Sequence, residues 1–210
     1  MKNTEQLIQA LQEMKLVVSQ TERAKLLEYL AMLIKWNNTY NLTAIRTEDK
    51  MLSYHILDSL SIVPFLPQQG SFLDVGSGGG MPGIVCAIMR PDLSVTLLDA
   101  NHKKTTFLRQ AVIELKLENV TVETCRVEQL TEKKFDMITS RAFSSLRDFV
   151  LLSEALLADK GVWLAMKGVY PFEEIDDLPD NVEVKDVQPL QVPYIEGARH
   201  LVWLCKKEAQ

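Results

Sequence analysis

Over residues 1 to 66 apolar positions recur every three or four residues, whereas from residue 71 onward they bunch into short runs separated by amphipathic stretches. The first rhythm predicts helices; the second predicts buried strands alternating with helices, hence a parallel, doubly wound α/β sheet. In the first region Ser19 and Glu22 stand at capping-box spacing and open a helix whose Leu26, Leu27, Leu30 and Ile34 share one face. "NTYNLT" (38–43) breaks that helix, and Thr47, followed by Glu48 and Asp49, starts another through "KMLSYHILDSLSIVPFL" (50–66). Pro64, Pro67 and Gly70 then punctuate a boundary, dividing the chain into a helical extension, 1–66, packed on a core domain, 67–210.

In the second region strands are expected at 71–75, 94–99, 120–124, 135–140 and 161–167, with helices at 82–89, 102–117 and 145–158. The tail reads differently. "VEVKDVQPLQV" (182–192) and "HLVWLCKK" (200–207) are joined only by "PYIEGAR", so they should pair as an antiparallel hairpin at the sheet edge.

Composition narrows the setting. The 210 residues are 47% hydrophobic and 24% charged, ordinary values for a folded domain with a real core. No apolar run reaches membrane-spanning length, and the N-terminus lacks the apolar centre of a signal peptide. Cys86, Cys125 and Cys205 are scattered, odd in number and without a C-x-x-C pair, which fits a reducing, cytoplasmic setting and neither disulfides nor a metal site. A net charge of −5 provides no general attraction to nucleic acid, so an RNA partner would need a local patch. A monomer is expected.

Chemistry concentrates in "LDVGSGGGMPGI" (73–84), with five glycines between two apolar runs. Gly78, Gly80 and Gly83 satisfy G-x-G-x-x-G after an expected strand, Pro82 falls in the first turn of an expected helix, and Asp99 follows about twenty residues on. A nucleoside-containing cofactor at the carboxyl end of the sheet fits this context. Asp74 determines which one. A carboxylate there would repel a phosphate but attract a ligand carrying ammonium and sulfonium groups, namely S-adenosylmethionine. Asp99 is placed to bind both ribose hydroxyls, with helix capping as its bland alternative, a duty Asn101 can perform. Val127 could pack on the adenine and Glu128 could bond its edge.

The expected fourth strand ends in "SRAFSS", without the Pro-Pro pair typical of amine methylases, and Thr124-Cys125 ends the third strand, away from the acceptor, as core. Neither deprotonation nor covalent activation is provided for, which suits an acceptor already nucleophilic, such as guanine N7.

The chain resembles the RsmG family of bacterial ribosomal RNA guanine-N7 methyltransferases, also called glucose-inhibited division protein B, over essentially its whole length. The match rests on "KWNNTYNLTAIR" (35–46), "HILDSL" (55–60), the glycine loop, "LLDA" with "KKTTFLRQ" (97–110), "SRAF" (140–143) and "LQVPYIEGARHLV" (190–202). Gly79 and Met81 depart from the family's more usual loop residues. The resemblance implies a seven-stranded class I S-adenosylmethionine-dependent fold and methylation of a guanine (position 527) in the decoding-region loop of 16S rRNA, free or in an assembling small subunit. It further implies cofactor contacts at Gly76, Met81, Val127, Glu128 and Arg141, to which the glycine pattern adds Gly78. Arg141 could hold the methionyl carboxylate, orient the guanine, or form a surface ion pair. Asn37, Asn41, His55 and Asp58 could tie the helical arm to the core or touch RNA. Lys103, Arg147, Lys167, Arg199 and His200 are the candidate RNA cations, with Lys167 the foremost phosphate contact. A small-molecule or protein methyltransferase, a nucleotide-dependent oxidoreductase and a non-catalytic cofactor-binding module stay open as alternatives.

Overall fold

The computed structural model describes residues 2–207, and among these no helix is long and apolar enough to cross a membrane. Helices α1 (Lys2–Glu13) and α2 (Gln20–Tyr40) come first. The capping box forms as the spacing predicts: the Glu22 N–H donates to Ser19 Oγ (3.2 Å) and the Ser19 N–H to the Glu22 carboxylate (2.6 Å). α2 runs through Tyr40 and stops where Asn41 turns left-handed (φ 50°), so only the second half of "NTYNLT" is non-helical. The following turn is pinned by buried Asn37, whose amide donates to Ile45 O (3.0 Å) and accepts from the Thr43 N–H (2.8 Å).

The helix expected over 50–66 is not uniform. α3 (Glu48–Met51) passes into a π-helical stretch, Leu52–Leu57, then α4 (Asp58–Leu60) and a 3-10 turn, Val63–Phe65, around Pro64. π-helical turns rotate the following residues relative to a regular helix and recur at functional sites.

Seven strands follow: β1 (Gly70–Val75), β2 (Leu93–Leu98), β3 (Val120–Glu123), β4 (Phe135–Ser140), β5 (Leu157–Lys167), β6 (Val182–Pro189) and β7 (His200–Lys206). They form one sheet in the order β3-β2-β1-β4-β5-β7-β6, parallel except for β7, which runs antiparallel to both neighbours. The expected hairpin is present, and its second strand, not its first, joins β5. Strand order reverses between β1 and β4, and ligands of open α/β sheets bind outside the carboxyl ends at such a point.

Helices α5 (Gly83–Met89) and α6 (His102–Glu114) lie on one face, α7 (Leu146–Ser153) on the other, and short α8 (Phe172–Asp176) beyond β5. α7 ends earlier than the 145–158 pattern predicts. The Ser153 hydroxyl bonds back to Phe149 O and accepts the buried Trp163 indole N–H (2.9 Å), so residues from Leu157 onward join β5 instead.

All seven residues of α5 are buried. A helix without a polar face must be covered on every side, and the N-terminal helices cover it. Tyr29, Leu30 and Leu33 of α2 share one apolar cluster with α5, α6 and Phe72 of β1. Each such fully buried side chain is worth roughly 1.5–3 kcal/mol in transfer free energy, which ties residues 1–66 to the sheet.

Candidate active site

The chain leaves β1 and makes its glycine turn directly over the sheet's carboxyl edge. Gly76 has φ +70°, and a Cβ there would lie 2.7 Å from the Ala142 methyl, so only glycine lets the loop pass the end of β4. Ser77 staples the turn by donating to Asp74 O (2.8 Å) and accepting the Leu98 N–H (3.1 Å). From the helical extension, the Tyr29 hydroxyl donates to Gly79 O. A Cβ on Gly78 would meet only the Gly76 carbonyl, at 3.8 Å, so bare backbone borders a cleft of about 170 Å³. That cleft brings together the expected Gly76, Gly78, Met81 and Arg141, and adds Thr43 and His55 from the extension.

Asp74 is not on the cleft wall. It is fully buried beneath the loop, its Oδ2 accepts the Gly83 N–H (2.9 Å), and its Oδ1 has no hydrogen-bond partner among the described residues. Burial pushes its pKa up to about 7, opposed by the Gly83 N–H and the Arg141 charge. The expectation that it faces a cationic ligand is therefore corrected. Strand alternation puts Asp74 on the same face as Phe72, toward the start of α5, where it anchors the loop's return into that helix.

Asp99 does stand at the loop, just past the end of β2. Its Oδ2 accepts the Gly78 N–H (2.9 Å), its Oδ1 the Asn101 N–H (2.8 Å), and Lys104 Nζ lies 3.9 Å away. Capping of α6 falls to Asn101, which accepts from the Lys103 N–H (2.9 Å). Val127 and Glu128 occupy a 3-10 turn, Val127–Gln129, after β3. Val127 packs into the core with Leu98, and Glu128 is exposed. Neither lines the cleft beside the glycine loop.

Across the cleft Arg141 sits in a network that joins three regions of the chain. One of its guanidinium nitrogens donates to Asp58 Oδ2 (2.7 Å) and Tyr54 O (3.1 Å), and the other approaches His55 Nδ1 (3.5 Å). His55 Nε2 meets Thr43 Oγ1 at 2.9 Å, and Arg199 Nε pairs with Asp58 Oδ1 at 3.2 Å. Burial and the adjacent guanidinium lower the His55 pKa to about 4. Burial pushes the Asp58 carboxyl upward against the pull of both arginines. His55 and Asp58 thus tie the arm to the core, as does Asn37, while Asn41 accepts from Arg46 (2.7 Å). The pairing of Asp58 with Arg199 was not legible in the sequence. The i, i+3 placement of His55 and Asp58 was the one available signal.

The candidate RNA cations fare unevenly. Lys167 is corrected as the foremost phosphate contact: only 14% of its side chain is exposed, and Nζ is held by Glu174 Oε2 at 2.7 Å. Glu174 also accepts the Leu146 N–H (2.8 Å), so this pair clamps α8 to the start of α7. Arg147 donates to Asp177 O (3.0 Å), and Arg199 is taken by Asp58. His200 Nδ1 bonds with Gly168 O (2.9 Å), and Lys103 stands exposed in the first turn of α6. Lys167, Arg199 and His200 gather near Arg141 around one small hollow; Lys103 and Arg147 are not part of it.

A seven-stranded sheet with a reversed last strand, a glycine turn after β1, and Asp99 tied to that turn from the end of β2 give the fold of class I S-adenosylmethionine-dependent methyltransferases, and the family match places the chain in that class. Solved structures agree at the level of fold. The ribosomal protein L11 methylase of Lactobacillus delbrueckii subsp. bulgaricus is similar with TM-score 0.59 at 15% identity, over 72% of this chain and 77% of that one. TrmN from Thermus thermophilus is similar with TM-score 0.55 at 17% identity, over 71% and 47%. The chain belongs to the family described as rRNA small subunit methyltransferase G, whose model matches residues 22–202. Relatives bearing the name Ribosomal RNA small subunit methyltransferase G include one from Chromobacterium violaceum, 59% identical over 95% of this chain and 96% of its own length. Another, from Neisseria meningitidis serogroup B, is 52% identical over 99% and 100%. The oxidoreductase alternative fails on both fold and family.

Proposed function

We propose that the chain transfers the methyl group of S-adenosylmethionine to N7 of a guanine in the decoding-region loop of 16S rRNA. Family membership supports the RNA substrate. The choice of N7 is supported by the lining of the cleft, which among the described residues holds one imidazole, His55, and no carboxylate or thiol. This imidazole lines the cleft, both its nitrogens are engaged, and a pKa near 4 makes it a weak base at neutral pH. An exocyclic amine or ring carbon needs a base or nucleophile to activate it, whereas N7 already offers a lone pair.

The residues present suit the cofactor. The glycine turn leaves room that side chains would fill, and Asp99 presents a carboxylate at the loop's edge. In this reading Gly76, Gly78, Met81 and Asp99 hold the cofactor, Val127 and Glu128 close its adenine end, and Asp74 acts indirectly by fixing the loop. When bound, S-adenosylmethionine supplies an electrophilic methyl group. Arg141, oriented by Asp58, positions the reacting partners, and alignment of that kind can supply most of the acceleration. Residues 1–66 serve as an extension of the methyltransferase unit 67–210, shaping the cleft through Tyr29, Thr43 and His55.

The test is single-turnover methyl transfer to 16S rRNA, with the modified base mapped by scission at N7-methylguanine. One modified guanine and a rate nearly flat across neutral pH are expected. Modification at another atom, or a tenfold rise in the chemical rate per pH unit, would overturn the proposal.

A further inference from the structure

The cations nearest the cleft are engaged within the chain: Arg141 and Arg199 by Asp58, and Lys167 by Glu174. With a net charge of −5 as well, attraction to phosphate is a poor source of RNA affinity here. Beside the carboxylates of Glu173 and Glu174, what this edge exposes is apolar and aromatic. The loop leaving β5 carries Val169, 81% exposed, and runs into α8 at Phe172, 70% exposed and the most exposed aromatic residue among those described. The rings of Tyr170 and Phe172 lie 4.2 Å apart between centroids at 36°, and Tyr170 meets His200 edge-on at 5.6 Å. Pro171 between them is buried, which anchors the pair to the body of the protein. A cleft of about 380 Å³ opens beside the rings. The loop is also joined to the reacting side: Lys167 pairs with His200 across β5 and β7, next to Arg199 and so to Asp58 and Arg141.

We propose that Tyr170 and Phe172 form a stacking platform for an unpaired base of the RNA beside the target guanine. A guanine must leave its own stack to present N7 to a methyl donor within a protein cleft, which strips its neighbours of stacking partners too. An aromatic face satisfies such a base without charge and without reading its identity. The inference rests on the RNA methyltransferase reading above.

The test compares the wild type with Phe172→Ala, Phe172→Leu and Phe172→Trp. Affinity is measured for a 16S rRNA fragment containing the target loop and for small-subunit particles, across a salt series, with 2-aminopurine placed in the fragment beside the target as a stacking reporter. Cofactor affinity by calorimetry serves as the folding control. Phe172→Ala is expected to weaken RNA binding about five- to hundredfold, with unchanged salt slope, unchanged cofactor affinity and loss of 2-aminopurine quenching. Phe172→Trp is expected to keep all of these, and Phe172→Leu to behave like alanine. Unchanged RNA affinity in Phe172→Ala, or full affinity in Phe172→Leu, overturns the platform. So does a loss confined to protein-containing small-subunit particles, which would assign the surface to a ribosomal protein. Methyl transfer by the wild type is run alongside: its absence from all rRNA would sink the methyltransferase reading, whereas the binding comparison judges the platform separately.

Discussion

The two sides of the cleft are built from different materials. On the glycine-loop side, which the proposed function gives to the cofactor, the wall is backbone: a turn held by Ser77, Asp99 and Asp74, with its tolerance set by the absence of Cβ atoms. On the opposite side, which the proposed function gives to the acceptor, the wall is made of side chains, with His55 and Asp58 from the helical arm meeting Arg141 after β4 and Arg199 before β7. A backbone wall should fail abruptly when atoms are added. A side-chain wall should degrade by degrees and respond to charge and pH.

The largest effect is expected at Gly83. A Cβ there would overlap the Leu97 side chain and the Asp74 carboxylate, and overpacking of this kind costs about 1–3 kcal/mol, occasionally more. Gly83→Ala should abolish measurable cofactor binding in calorimetry and lower the thermal midpoint; near-normal affinity would refute the backbone account.

Next comes Asp58→Asn, which keeps the shape and removes the charge that Arg141 and Arg199 share. Their side chains are 23% and 22% exposed, so the stability loss should be about 1–2 kcal/mol rather than that of a fully buried pair. Methyl transfer should slow by roughly ten- to hundredfold through misplacement of Arg141, while cofactor affinity stays within about threefold. An equal loss of cofactor affinity would merge the two sides into one.

The pH dependence of stability distinguishes them further. Asp74 has a folded pKa near 7 against an ordinary 3.8, so the folded state holds the extra proton, and its contribution falls away as pH rises from 3.8 to 7. His55, lowered from 6.5 to about 4, works in the opposite sense: its contribution is present above 6.5 and is lost as pH falls toward 4. Between pH 4 and 6.5 the two oppose each other. Asp74→Asn should make the curve rise more steeply with pH than the wild type's, and His55→Gln should make it fall, each by up to about 1.4 kcal/mol per pH unit. Denaturant titrations at several pH values check this, and parallel curves for all three proteins would refute it.

The smallest effect is expected at Lys167→Ala. Loss of a partly exposed ion pair to Glu174 should cost at most about 1 kcal/mol and leave the salt dependence of RNA binding unchanged. A slope shallower by roughly one ion would restore Lys167 as a phosphate contact.

Local pattern was enough for the order of the strands and of the helices between them up to α7, the capping box at Ser19, the glycine turn and the placement of Asp99 beside it, but not for α8. These depend on side-chain periodicity and backbone freedom, which neighbouring residues carry by themselves. Tertiary structure determined the rest. Asp58 and Arg141 stand 83 residues apart and meet only because β4 lies beside β1 under the arm. Lys167 is neutralised by a helix beyond its own strand, and Asp74 is turned beneath the loop by its place in β1. Ser153 ends α7 because Trp163 packs above it. A charge written in the sequence has no partner, burial or pKa until the sheet order brings distant segments together, and electrostatic energies depend on those distances and on the loss of water around them.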